Sequence, residues 1–169
     1  MLKANKAAFA KSIGPGRAII EFGSGSSTKT PHLLNAIDPA AYVPIDISGD
    51  FLEHSASLLQ KEFPELPILS VEADFMKRVE LPEAVAALPK LGFFPGSTIG
   101  NMIARTSVDL LRFMRETLGE GAQLLIGFDR IKDPATLVAA YDDRAGVTGQ
   151  FSLHLLHAIN RELAGNIAV

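Results

Sequence analysis

The 169-residue chain has no cysteine, which excludes a disulfide framework, a thiolate zinc site and a cysteine nucleophile, and which fits a reducing, cytoplasmic setting. Long apolar runs are missing too. Asp, Glu, Lys, Gly or Pro interrupts every hydrophobic stretch well before the roughly 18 residues that a membrane-spanning helix needs, so no membrane contact is expected. The apolar patch at residues 7–10 is too short for a signal-peptide core, and residues 1–16 are expected to form a short amphipathic helix instead. Charge of one sign is not in excess: 16 Lys and Arg face 19 Asp and Glu, a net charge of −3 that leaves no basic footprint for nucleic acid. Repeats and linkers are absent as well. What remains is ordinary globular usage, 47 % hydrophobic and 21 % charged, at a length that suits one compact domain.

From Arg17 onward, short β-branched or apolar runs alternate with longer stretches of helical period, the pattern of parallel strands joined by crossover helices. Strands are expected at residues 17–22, 41–47, 67–73, 91–96 and 122–128. Between the first two, a glycine turn at residues 23–27 opens a helix ending near Ile37, with Pro31 in its first turn. Ser48 is expected to cap a helix from about Asp50, with Phe51, Leu52, Leu59 and Phe63 on one face. Thr106 is expected to cap the helix carrying Leu110, Leu111, Met114 and Leu118, which stops at Gly119. Asp133-Pro134 reads as a further helix start, and residues 151–163 as the final helix. The fold class is therefore α/β, a doubly wound, mainly parallel sheet of five strands.

The chemistry concentrates at the carboxyl ends of the first three strands. The turn Gly23-Ser24-Gly25 leaves backbone N–H groups bare at a helix start, which suits a ligand carboxylate or phosphate. Thr28 stands where the dinucleotide pattern Gly-x-Gly-x-x-Gly has its third glycine. Asp46 ends the second strand, where a carboxylate accepts from ribose hydroxyls, and Asp74-Phe75 ends the third with an acceptor and a flat ring. Singly, each has a plain structural reading: a tight turn, a cap and a core ring. Jointly they favour an adenosine cofactor. His154 and His157 lie three apart but lack a third close ligand, so no metal is expected.

That order of motifs resembles the class I, Rossmann-like methyltransferases that use S-adenosylmethionine. A sharper resemblance runs through residues 21–30 (EFGSGSSTKT), 96–101 (GSTIGN), 132–134 (KDP), 140–143 (AYDD), 146–148 (GVT) and 160–163 (NREL). This string is similar to the histidine-specific methyltransferase family, typified by the histidine Nα-methyltransferase of ergothioneine biosynthesis, over residues 19–163. The resemblance implies that Gly23, Ser24, Gly25, Lys29, Asp46, Asp74 and Phe75 bind S-adenosylmethionine. It implies that Asn101, Tyr141 and Thr148 hold the amino-acid substrate; Asn101, the expected catalytic residue, either accepts from the amine or binds the neighbouring carboxylate. Two departures stand out. Ser152-Leu153-His154 occupies the place of the family's usual Asn-Arg-Asn. The family's N-terminal helical segment and long C-terminal substrate portion have no counterpart, so residues 1–169 are expected to form the S-adenosylmethionine-binding core alone, as a fragment or reduced homologue. A half-wound sheet exposes an edge, and a homodimer covering it is the expected remedy.

The expected reaction is methyl transfer to the uncharged amine of histidine or a related amino acid, because an ammonium has no lone pair. Positioning of amine behind methyl is the main task, worth up to about 7–11 kcal/mol. No general base stands out, so water takes the proton. The rival is a non-catalytic nucleoside-binding or scaffold domain that keeps the cofactor fold without turnover. A nicotinamide-dependent oxidoreductase is a third reading, without visible hydride-transfer machinery.

Overall fold

The computed structural model describes residues 5–27 and 29–168. Contacts divide it into two units, residues 1–129 and 130–169. In the first, five strands form one parallel sheet in the order β3-β2-β1-β4-β5: β1 (Ala18–Phe22), β2 (Ala41–Asp46), β3 (Val71–Glu72), β4 (Lys90–Phe94) and β5 (Gln123–Ile126). Helices α1 (Lys6–Ile13), α2 (Thr30–Ile37), α3 (Gly49–Glu62) and α4 (Ala104–Leu118) flank it. The doubly wound parallel sheet expected from the sequence is thus the fold.

Strand β1 is buried along its whole length, as a parallel strand covered on both faces must be. Its period of two sends Ala18, Ile20 and Phe22 to one face, where they pack with Leu110, Met114 and Leu118 of α4. Ile19 goes to the other face with Tyr42, against Ile13 of α1, Leu33 and Ile37 of α2, and Leu59 of α3. Strand β1 pairs with β2 on one side (Ala18 opposite Ala41) and with β4 on the other (Ala18 opposite Lys90). The sheet order therefore reverses between β1 and β4. Open α/β sheets bind ligands beyond the carboxyl ends of the strands at such a reversal.

Strand β3 is much shorter than the expected 67–73, and the reason lies in β2. Tyr42 turns its backbone toward β3, accepting from Leu69 N–H and donating to the Pro67 carbonyl, both at 2.9 Å. Asp46 does the same, accepting from Ala73 N–H at 3.0 Å. Pro44, midway between them on the same side, has no N–H to give, so the ladder is broken there. Only an isolated bridge (Tyr42 with Ile68) and the two residues of β3 remain.

Other expectations need correction. The N-cap of α4 is Ile103, in extended conformation, and Thr106 lies inside the first turn. Leu111 is half exposed, while Leu110, Met114 and Leu118 form the buried stripe. Leu52 and Leu59 are buried on α3 but Phe51 is exposed. Ser48 does occupy the N-cap of α3, without a side-chain cap bond.

The second unit holds α5 (Pro134–Tyr141) and α6 (Val147–Glu162). Asp133 caps α5 as expected, its carboxylate accepting from Ala135 N–H at 2.9 Å. Helix α6 starts at Val147, four residues before the expected Phe151, because Gly146 at φ +65° supplies the left-handed residue that begins it. Among the described residues, no helix is long and apolar enough to cross a membrane.

Candidate functional site

Beyond Phe22 the chain turns sharply over the end of β2. Gly23, at φ +68°, and Ser24 both donate their N–H to the Ile45 carbonyl, at 2.9 and 3.1 Å. Gly25 then donates its N–H to Asp46 Oδ2 at 3.0 Å, and Asp46 Oδ1 accepts the N–H of Ser48 at 3.2 Å. One carboxylate therefore latches the glycine turn and shapes the entry to α3. Each oxygen has two lone pairs and one backbone partner, so Asp46 keeps capacity for ligand hydroxyls.

Phe75 closes the floor of the turn. A Cβ added at Gly23 would lie 3.0 Å from Phe75 Cε1, so only glycine lets backbone and ring approach this closely. The ring is fixed in turn by an edge-on contact with Phe94, centroids 5.8 Å apart. Gly23→Ala is expected to cost about 1–2 kcal/mol from the left-handed backbone alone, read as a lowered thermal midpoint, and to push Phe75 aside. Asp74 is exposed, with Oδ1 accepting Met76 N–H at 2.9 Å and Oδ2 at 3.4 Å from Lys77 Nζ.

On the other side of the turn, between β1 and β4, lies a cavity of about 220 Å³. Glu21, the turn itself and Lys29 form one wall, and Pro95, Gly96 and Thr98 form the other. Asp46, Asp74 and Phe75 do not line it; they belong to the β2 and β3 side of the same turn, joined to it through Gly25 and Gly23. The turn is thus a ridge with a carboxylate and a ring on one flank and an open cavity on the other. Ser24 Oγ is buried with no hydrogen-bond partner among the described residues, an unmet need that a polar ligand group would fill. Thr28, which departs from the dinucleotide pattern, lies outside the described residues.

The substrate residues are placed less tightly. Asn101 is exposed at the end of a 3-10 turn, Thr98–Asn101, that follows β4. Ser97 starts that turn at φ 59° and anchors it, its Oγ accepting from Asp129 N–H at 2.9 Å. Tyr141 and Thr148 belong to the second unit, Tyr141 exposed at the end of α5 and Thr148 half-buried in the first turn of α6.

Four polar residues beneath the turn were given no role from sequence. Glu21 is 3 % exposed, and its Oε2 accepts from Thr30 Oγ1 and from Tyr42 Oη, each at 2.6 Å. Ser27 Oγ lies 3.2 Å from the same Tyr42 oxygen. Burial raises the Glu21 carboxyl from 4.5 to about 7, against the opposing pull of the Thr30 and Tyr42 hydroxyls and of Lys29. Burial, with the Glu21 charge beside it, also raises Tyr42. The signal was one carboxylate inside a strand of otherwise apolar residues, which must find donors when covered on both faces.

Known proteins share the fold and, in part, the sequence. A putative S-adenosyl-L-methionine-dependent methyltransferase from Methanococcus maripaludis superposes with a TM-score of 0.54 at 17 % identity, over 96 % of this chain and 78 % of that one, which shows the fold. The histidine N-alpha-methyltransferase of Mycolicibacterium smegmatis is 36 % identical over 156 residues, 88 % of this chain and 47 % of the relative. Ergothioneine biosynthesis protein 1 of Neurospora crassa is 32 % identical over 162 residues, 92 % of this chain and 18 % of that protein. The chain spans about half the length of the bacterial relatives it matches. The family model described as histidine-specific methyltransferase, SAM-dependent, matches residues 1–169, and the chain belongs to that family.

Proposed function

We propose that residues 1–169 form the S-adenosylmethionine-binding core of an N-methyltransferase acting on the amino group of histidine or a related amino acid. The observation that carries this reading is the latched glycine turn: Gly25 held on Asp46, Gly23 pressed on Phe75, and the cavity between β1 and β4 on the far flank. Asp46 would take the ribose hydroxyls and Asp74 with Phe75 the adenine side. Ser24 Oγ and Lys29 would take the amino-acid end; the N–H groups of Gly23, Ser24 and Gly25, expected from the sequence to be bare, are already given to Ile45 and Asp46. When bound, S-adenosylmethionine supplies an electrophilic methyl group. Asn101 would accept from the substrate amine, holding its lone pair toward that methyl, with Tyr141 and Thr148 as further substrate contacts. A second copy of the chain covering a sheet edge is the partner of this reading, in a cytoplasmic setting; sedimentation showing only monomer removes it.

Calorimetric titration with S-adenosylhomocysteine tests the cofactor half, and saturable binding at one site per chain is expected. Mass spectrometry of a reaction with histidine tests the other half. Binding without methylation of any amino acid would assign the chain to the scaffold reading, and no binding at all would remove both.

A further inference from the structure

The hydroxyl network under the glycine turn has a fixed direction. A phenol has one proton, and Tyr42 gives it to Glu21 Oε2 at 2.6 Å, so the 3.2 Å contact with Ser27 is completed by the serine proton. Ser27 donates to Tyr42, Tyr42 to Glu21, and Thr30 to Glu21 from α2. Within the turn, Ser27 is a non-glycine residue in the left-handed region, at φ 50°. Its N–H reaches the Ser24 carbonyl at 2.9 Å, and its own carbonyl accepts Thr30 N–H at 3.1 Å. A left-handed serine persists when its surroundings over-determine it, and here the side chain is tied to Tyr42 near the start of β2.

Tyr42 is fully buried opposite Ile19, where a phenylalanine ring would fill the same space. The hydroxyl adds nothing to the packing. Its two partners are the strained end of the turn and the carboxyl that lines the cavity.

We propose that Tyr42 is a positioning residue for ligand binding, which holds the turn at residues 24–27 in its ligand-ready shape through Ser27 and fixes the Glu21 carboxyl below it. This rests on the reading that the turn binds S-adenosylmethionine. The charged and titratable groups acting on Glu21 are Lys29 and Tyr42, and both act together with the Thr30 hydroxyl.

Tyr42→Phe tests it. The variant is expected to weaken S-adenosylhomocysteine binding about tenfold and to speed hydrogen exchange at the Gly25 and Ser27 amides by a similar factor. It should also move the half-ionisation of Glu21, read by carboxyl carbon NMR, to higher pH, because a donor to the charged form is gone. A hydroxyl that serves only the stability of the fold would lower the thermal midpoint and shift Glu21 while leaving the affinity and the Gly25 and Ser27 exchange rates unchanged. Ser27→Ala keeps the Tyr42–Glu21 bond, so it should loosen the turn and weaken binding while Glu21 titrates as before. It decides the matter if Tyr42→Phe does not fold. Exchange rates and affinity within twofold of the parent in both variants would overturn the proposal. If the parent chain binds no S-adenosylhomocysteine, the cofactor reading fails, and the exchange rates still decide whether Tyr42 sets the turn.

Discussion

Replacing Asp46 by alanine is expected to weaken S-adenosylhomocysteine binding by about 100-fold in a calorimetric titration. The carboxylate accepts the Gly25 and Ser48 N–H groups, and under the proposed function its remaining lone pairs would take ligand hydroxyls. Charge-assisted hydrogen bonds are worth about 1.5–3 kcal/mol, and each 1.4 kcal/mol is tenfold in affinity. Loss of the latch adds to loss of the ligand contact. Asp74→Ala should cost far less, because Asp74 is exposed and its backbone partner, Met76, lies two residues away rather than in the glycine turn. Equal, small losses for the two variants would show that the second strand's carboxylate serves only as a local cap.

Glu21→Gln is expected to abolish a loss of stability that the parent shows as pH rises. Because burial outweighs its two hydroxyl donors, native Glu21 keeps its proton up to about pH 7, whereas the unfolded chain releases it near 4.5. The native state thus binds more protons between those values, so stability falls as pH climbs through this window and is lowest above it. At about 1.4 kcal/mol per unit the loss reaches roughly 3 kcal/mol. Glutamine keeps an oxygen for Thr30 and Tyr42 and carries no charge to desolvate. Chemical denaturation at pH 5 and pH 8 reads the difference directly: the parent should lose stability between them through this residue and the variant should not. Equal pH slopes would mean that Glu21 stays ionised in the native chain.

The strands, their order of appearance and the glycine turn were legible in the sequence because they depend on neighbours within a few residues. Residues 18–22 are apolar but for Glu21, and the turn carries its own glycines. What was not legible depends on who lies beside whom. Strand β3 is cut short by a proline in β2, visible as a letter but meaningful only once Pro44 is known to face β3 and not β1. Phe51 has the spacing of a core residue and lies exposed, since helical period fixes a face only to within one position. Thr106 looks like a cap because threonine often is one, yet the cap of α4 falls three residues earlier, at an extended Ile103. At the site, Asp46 was readable from its place at a strand end. The Glu21 network was not, because Thr30 and Tyr42 come from α2 and β2 and meet only in three dimensions.

The central position of β1 also bears on how the molecule comes together. Ala18 finds its β2 neighbour at Ala41, but its β4 neighbour is Lys90, on the order of seventy positions further on. Pairings so distant along the chain are slow, since loop closure must precede any gain from contact. During synthesis the glycine turn therefore emerges before residues 90–98, and its second wall does not exist until they arrive. The competence of the pocket is a late event in folding, set by the arrival of a strand that carries none of the turn's own residues.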